Sequence, residues 1–292
     1  MTSANWTFAF TVDDVALAGY STPGHLLRLY DFLDEERLPA TFFVVPEGED
    51  GAPAARRPDW AAALAEGLRR GHEFAQHGVA HDRFEVGVPP PMILELPHEG
   101  PARKFLAENR GRVERDLTVE RIRVRLRRGR ATLEDVLGRP ISGFRAPALQ
   151  TCANLWPALA AEGYAYDSST WFQTAGWDFL NGRMDAPPAA ITRAGFVERQ
   201  KAPGVREFPL TTDYAWFLPA ERYAAAFGLA RHDAESCFRE DVPFVPVCHV
   251  SPVMEGEGLR LWRELLAWMR SAAGDAGAAL APTTLGALAA AG

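Results

Sequence analysis

Two histidines four residues apart, His77 and His81 in GHEFAQHGVAH, follow an acidic pair, Asp13-Asp14, at the end of the apolar run FAFTVDDV. Two imidazoles and one carboxylate make a facial ligand set for a divalent metal ion. Three protein ligands leave one coordination position open for water, as catalytic zinc sites require. Histidines at i and i+4 fall on one side of a helical turn and can converge on one ion. Such an ion lowers the pKa of an attacking water toward about 7, and a neighbouring carboxylate can finish its deprotonation. These residue types in this order point to hydrolysis.

The elements that must position them alternate between strand and helix. WTFAFTV reads as a buried strand ending at Asp13, and HLLRLYDFLDEERL has helical spacing at Leu26, Leu29, Leu33 and Leu38. ATFFVV, the helix WAAALAEGLRRG and the short strand HEFAQHG continue the alternation, which favours a parallel sheet or barrel with helices outside. Later strands fall at ISGFRAP, YAYDSS, VREFPLT and VPFVPVCHV. Asp13, His77, Arg145, Asp167 and His249 each stand at the C-terminal end of a strand. In α/β barrels that end carries the active site, because the following loops converge there.

Two stretches interrupt the pattern. Residues 83–116 include the proline-rich VGVPPPMILELPHEGP, which does not read as one regular element. Residues 172–205, with paired aromatics, Gly and Pro-Pro, read as loop. Both follow site-bearing segments and are expected to border the pocket of a single domain spanning 1–292. The C-terminal GLRLWRELLAWMRSAAG reads as an amphipathic helix, with an alanine-rich tail that has no catalytic role.

The chain of 292 residues has ample length for a buried core. Its net charge of −7 argues against general nucleic-acid binding, which prefers a basic surface. No run approaches the roughly 18 apolar residues of a membrane span. The opening MTSANWTFAF has no basic n-region or long apolar h-region, so a cytoplasmic setting is expected. Cys152, Cys237 and Cys248, odd in number and without CxxC spacing, fit free thiols.

The motifs together resemble the polysaccharide deacetylase family, the NodB homology domain of carbohydrate esterase family 4. TVDD is similar to its TFDD motif, ATFFVVP to its second strand, and GHEFAQHGVAH to its histidine segment. GFRAP carries the R-x-P motif, YDSSTW resembles the Asp-bearing fourth motif, and PVCH stands where the last histidine belongs. These matches run in order from about residue 8 to residue 250.

The resemblance implies a distorted (β/α) barrel and metal-dependent removal of an acyl group from an amide. Position by position, Asp14, His77 and His81 would hold one divalent ion, usually Zn2+. Asp13 would be the general base and Arg145 its pairing partner, holding it ionised and oriented. The N–H of Ala148 would help stabilise the tetrahedral oxyanion, and His249 would protonate the leaving amine. Val247 would line the slot for a small acyl group. Asp167, in the fourth motif, joins the catalytic set, and Trp171 beside it the substrate contacts. His72 corresponds to a structural position.

Three residues depart from the family pattern. Val15 replaces the glycine after the acidic pair, and Ala148 replaces the aromatic after R-x-P. Thr170 stands where many members have a second Asp that orients the acid histidine, so another group must orient His249 or the acid step differs.

The expected substrate is an N-acetyl or N-formyl amino sugar, free or carrier-linked. Trp171, Phe172, Trp177, Phe179, Tyr214 and Trp216 are candidates for a stacking platform, at least half of them being core or loop anchors. The arginines of ERIRVRLRRGR read as a solvated helix face, with membrane-surface or phosphate contact the less favoured reading. Two rivals stand beside this one. The first is an amidase or cyclic-amide hydrolase of the same fold on a non-sugar substrate. The second is a pseudoenzyme that binds a sugar or glycolipid without turnover.

Overall fold

The structure, a computed structural model, describes residues 5–16, 21–47, 57–200 and 204–291. Seven parallel strands form its centre: β2 (Phe10–Val15), β3 (Ala40–Val44), β4 (Glu73–His77), β5 (Gly143–Arg145), β6 (Tyr166–Asp167), β7 (Arg206–Glu207) and β8 (Val247–His249). Their spatial order is β7-β6-β5-β4-β3-β2-β8. The run expected as one strand at WTFAFTV is split. Its first half, β1 (Trp6–Phe8), pairs instead with β9 (Leu280–Pro282) in a separate two-stranded sheet.

Past β7 the chain continues alongside the other edge of the sheet. Thr211 N–H donates to the Val245 carbonyl, and Val247 N–H to that of Thr212. An isolated parallel bridge joins Asp213 to Val247. These bonds curl the sheet into the distorted barrel expected from the sequence, and they carry residues 210–213 to the side of β8.

Helices cover the outside: α1 (Pro23–Glu35), α2 (Pro58–Arg69), α3 (Pro91–Leu94), α4 (Gly100–Asp116), α5 (Val119–Leu137) and α6 (Leu155–Ala161). They continue as α7 (Ala175–Leu180), α8 (Arg193–Glu198), α9 (Tyr223–Arg239), α10 (Val250–Met254), α11 (Gly258–Asp275) and α12 (Leu285–Ala291). The start of α1 follows from its sequence. The Thr22 hydroxyl accepts from His25 N–H, Pro23 sits in the first turn, and Leu26, Leu29, Tyr30 and Leu33 turn inward. The main core packs Phe8, Phe10, Phe42, Trp60 and Trp262 between sheet and helices, while Phe43, Ala75, Phe208 and Val245 fill the barrel. Leu285 of the alanine-rich tail closes the barrel floor, its N–H donating to the Thr41 hydroxyl.

Residues 83–116 are not one element but α3, a 3₁₀ turn at Pro97–Glu99 and α4. Residues 172–205, expected as loop, hold α7 and α8, and residues 201–203 of that stretch lie outside the described residues. No helix among the described residues is long and apolar enough to cross a membrane.

Candidate metal centre and active site

In a regular strand adjacent side chains point to opposite faces, so Asp13 and Asp14 could not both reach one site. β2 resolves this with an irregularity. Its register with β3 shifts between Val12 and Val15, and Asp14 takes a left-handed φ of 53°. Both carboxylates then line one cavity of about 1080 Å³ at the C-terminal ends of the strands.

Asp14 Oδ1 lies 3.3 Å from His77 Nε2 and 2.9 Å from His81 Nε2. The ligand atoms of Asp14, His77 and His81 all lie within 4.8 Å of one another, a set that fits a divalent ion. His77 Nδ1 is 2.9 Å from the Arg145 carbonyl, which fixes the ring and leaves Nε2 for the ion. Burial alone would raise the Asp14 carboxyl, yet the imidazoles of His81, His77 and His249 hold it well below the usual carboxylate range.

The helical-turn geometry expected for the two histidines is not what brings them together. His77 ends β4, and His81 lies in the following loop with a φ of 60°. Glu85 holds that loop. Its buried carboxylate accepts from the N–H groups of Val79 at 2.9 Å, Ala80 at 2.8 Å and Asp82 at 3.0 Å. Gly78 permits the approach. Its φ is 62°, and a Cβ there would lie 2.3 Å from Glu85 Oε2 and 2.4 Å from Pro147 Cγ. Sequence reasoning missed Glu85, whose only signal is an acidic residue shortly after the second histidine.

Arg145 is fully buried behind Asp13. Its Nη1 donates to Asp13 Oδ1 at 2.7 Å and to the Thr11 hydroxyl at 2.8 Å, and its guanidinium lies 4.1 Å from the centre of the Phe43 ring. Ala148 and Leu149, after Pro147, take left-handed φ values of 48° and 51°, and both line the cavity. Consecutive non-glycine residues in that region store strain of about 1–3 kcal/mol each, which persists only where the surroundings enforce it.

His249 and Val247 of β8 also line the cavity. His249 Nε2 lies 3.7 Å from Asp14 Oδ2, and its Nδ1 lies 2.8 Å from Asp213 Oδ2. Burial lowers the imidazole pKa, but the Asp213 hydrogen bond and the Asp14 charge outweigh it and raise the ring to about 9. Asp213 supplies the orienting carboxylate that Thr170 cannot. It also escaped the sequence reading, because TTDY carries no motif and its partner lies on another strand. Tyr214, next in the chain, anchors this loop through its hydroxyl to Asp233 of α9 at 2.6 Å.

Asp167 and Trp171 do not join the site. Asp167 is fully buried outside the cavity, accepting from the Ser169 hydroxyl at 2.6 Å and from Trp156 Nε1 at 3.1 Å. Burial and the adjacent Glu207 push its carboxyl well above the usual range. Thr170 donates to the same Glu207 at 2.8 Å. Trp171 bridges to Leu210 and packs against the barrel core instead of lining the cavity. Of the candidate aromatics, Trp177, Phe179, Tyr214 and Trp216 reach the cavity, whereas Phe172 is core.

The arginines of α5 are not a purely solvated face. Arg125 and Arg128 line the cavity, Arg125 donating to the Glu85 carbonyl at 2.5 Å and Arg128 pairing with Glu47. Gly129 lets the helix approach so closely, since a Cβ there would lie 2.3 Å from Gln76 Nε2.

A family model described as polysaccharide deacetylase matches residues 3–166. Among solved structures, the chain is similar to a polysaccharide-deacetylase-type protein from Mycobacterium smegmatis, at 19% identity and a TM-score of 0.64. That likeness covers 100% of this chain and 91% of the other. It is also similar to the chitin deacetylase of the fungal pathogen Colletotrichum lindemuthianum, at 13% identity and a TM-score of 0.52, over 92% of this chain and 85% of that one. At these identities the likeness is one of fold. No curated protein matches the sequence.

Proposed function

The chain belongs to the polysaccharide deacetylase family, and from that premise we propose that it is a metal-dependent hydrolase removing an acyl group from an amide nitrogen. The observation that carries this reading is the convergence of Asp14, His77 and His81 within 4.8 Å, in one cavity with Asp13 and His249. A divalent ion held there, most simply Zn2+, would polarise the amide carbonyl and acidify the attacking water.

The chain's own residues divide the remaining work. Asp13, held in place by Arg145, takes a proton from the attacking water. Ala148 lines the cavity, and its N–H would donate to the developing oxyanion. His249, oriented by Asp213, gives a proton to the leaving nitrogen. Val247 borders the acyl group. Arg145 and Asp213 are positioning residues, and Asp167 and Trp171 have no part in this assignment. The chain acts as one catalytic domain, with residues 83–116 and 172–205 supplying cavity wall through α3 and α7.

An N-acyl amino sugar, free or carrier-linked, is the substrate class that family membership supports. The rival reading, an amidase on a non-sugar substrate, is favoured by a separate observation, the apolar residues on part of the cavity lining. Metal analysis and zinc titration test the common chemistry. One tight equivalent is expected in the wild type and none in His77→Ala, while Asp13→Asn keeps the metal and loses turnover. A wild-type protein that binds no metal overturns the hydrolase reading.

A further inference from the structure

The cavity has two kinds of lining. Near the His81 loop and α5 it is polar, and the acids there are engaged: Glu47 with Arg128, Glu99 with Arg83, Glu85 with the loop amides. Other lining residues are apolar. Ile93, Leu96, Trp177, Leu210, Leu218 and Leu229 are among them, and none of these is more than 7% exposed. A volume of about 1080 Å³ is a little above the roughly 300–1,000 Å³ of cavities that take a whole small molecule. Sugar hydroxyls set against these apolar residues would lose water without regaining hydrogen bonds.

A charged side chain, Arg222, lines the cavity with them. Arg222 follows the loop that carries Asp213 and Trp216, and the Trp216 ring meets the His249 ring edge-on at 4.5 Å. Arg222 is half-buried, and its Nη1 donates to the carbonyl of Phe179 at 3.1 Å, another lining residue. Among the described residues no carboxylate pairs with it. Arg125, on the polar wall, differs in having the Glu85 charge beside it. A guanidinium next to apolar surface loses hydration, and a planar carboxylate restores that loss through two parallel hydrogen bonds.

We propose that the amide cleaved at this centre belongs to a small molecule with an apolar acyl or aryl group seated in the cavity and a carboxylate held by Arg222, in the manner of an N-acylated amino acid. The proposal rests on the hydrolase reading for its chemistry but not for its binding. Calorimetric titration of the zinc-loaded protein with two inert probes, 4-phenylbutyrate and 4-phenylbutanol, tests it, with triacetylchitotriose as a third ligand. The phenylbutyrate is expected to bind at least about tenfold more tightly than the alcohol. Arg222→Gln removes that preference while leaving alcohol binding and the zinc equivalent unchanged, and Arg222→Lys restores part of it. Ala226→Phe, which narrows the cavity, weakens both probes.

Equal affinity for the two probes overturns the proposal. So does a preference that survives Arg222→Gln, which would mean the carboxylate sits on the zinc, and so does tightest binding of the chitotriose. Release of benzoate from N-benzoylglycine reads the hydrolase premise separately. The expected probe binding with no hydrolysis of any amide removes the premise and keeps the ligand class. Acetate release from the chitotriose without a phenylbutyrate preference does the reverse.

Discussion

The Nδ1 atom of His249 lies 2.8 Å from the carboxylate of Asp213, a residue 36 positions earlier on the segment that closes the barrel. An imidazole fixed at one nitrogen by a carboxylate presents its other nitrogen in a set orientation and protonation state. Asp213→Asn keeps the shape and removes the charge. It is expected to lower kcat about 10- to 100-fold with little change in KM, whereas His249→Ala costs on the order of 10²- to 10⁴-fold. Steady-state kinetics on variants with unchanged metal content decide the matter, and full activity in Asp213→Asn would remove it as the orienting group.

Glu85 supports the second histidine from behind, through three backbone amides of the loop. Supports of this kind are worth about 10- to 100-fold in metal affinity. Glu85→Ala should therefore weaken zinc binding by that factor in competition with a chelator, and Glu85→Gln by less, since the amide retains one acceptor oxygen. Wild-type affinity in Glu85→Ala would show that the loop holds its shape unaided.

Arg145 and Asp13 form a buried pair, and removing one partner strands the other. Arg145→Met is expected to cost about 3–5 kcal/mol of stability. Adding Asp13→Asn should return much of that loss, although the double variant remains inactive. Urea titrations of the two single variants and the double variant give the coupling, and additive losses would mean that the pair does not interact.

His72 is buried against Tyr30 and Phe42, with ring centroids 5.1 Å and 5.3 Å away, and neither ring nitrogen has a partner. Burial lowers its pKa from 6.5 to about 4. The unfolded chain binds this proton below about pH 6.5, while the folded protein refuses it until about pH 4. The stabilisation is whole above pH 6.5 and is lost as pH falls toward 4, by about 3 kcal/mol at most. His72→Phe should flatten that part of the stability profile. A slope unchanged by the substitution would assign the acid sensitivity to other groups.

The residues of the candidate metal centre were legible in the sequence because each is tied to a local pattern. Asp13-Asp14 ends an apolar run, His77 ends another, and Arg145 sits in R-x-P, so strand periodicity alone puts them at one end of a parallel sheet. The errors share a cause. The i, i+4 spacing of His77 and His81 suggested a helical turn, but a strand end and a glycine-led loop produce the same convergence. Asp167 also ends a strand, yet its side chain points into a buried polar cluster with Glu207 and Trp156, a choice that the local sequence does not record.

The sequence by itself determined the family, the alternating architecture and the Asp-His-His constellation, because periodicity and short motifs are local properties of the chain. Only the tertiary structure decided that Asp213 orients His249, that the bulge in β2 turns both aspartates inward, and that Arg222 lines the same cavity. Each of these depends on which distant segments meet when the barrel closes. That closure is governed by the packing of the whole core and by hydrogen bonds such as Thr211 to Val245, whose partners lie far apart in sequence.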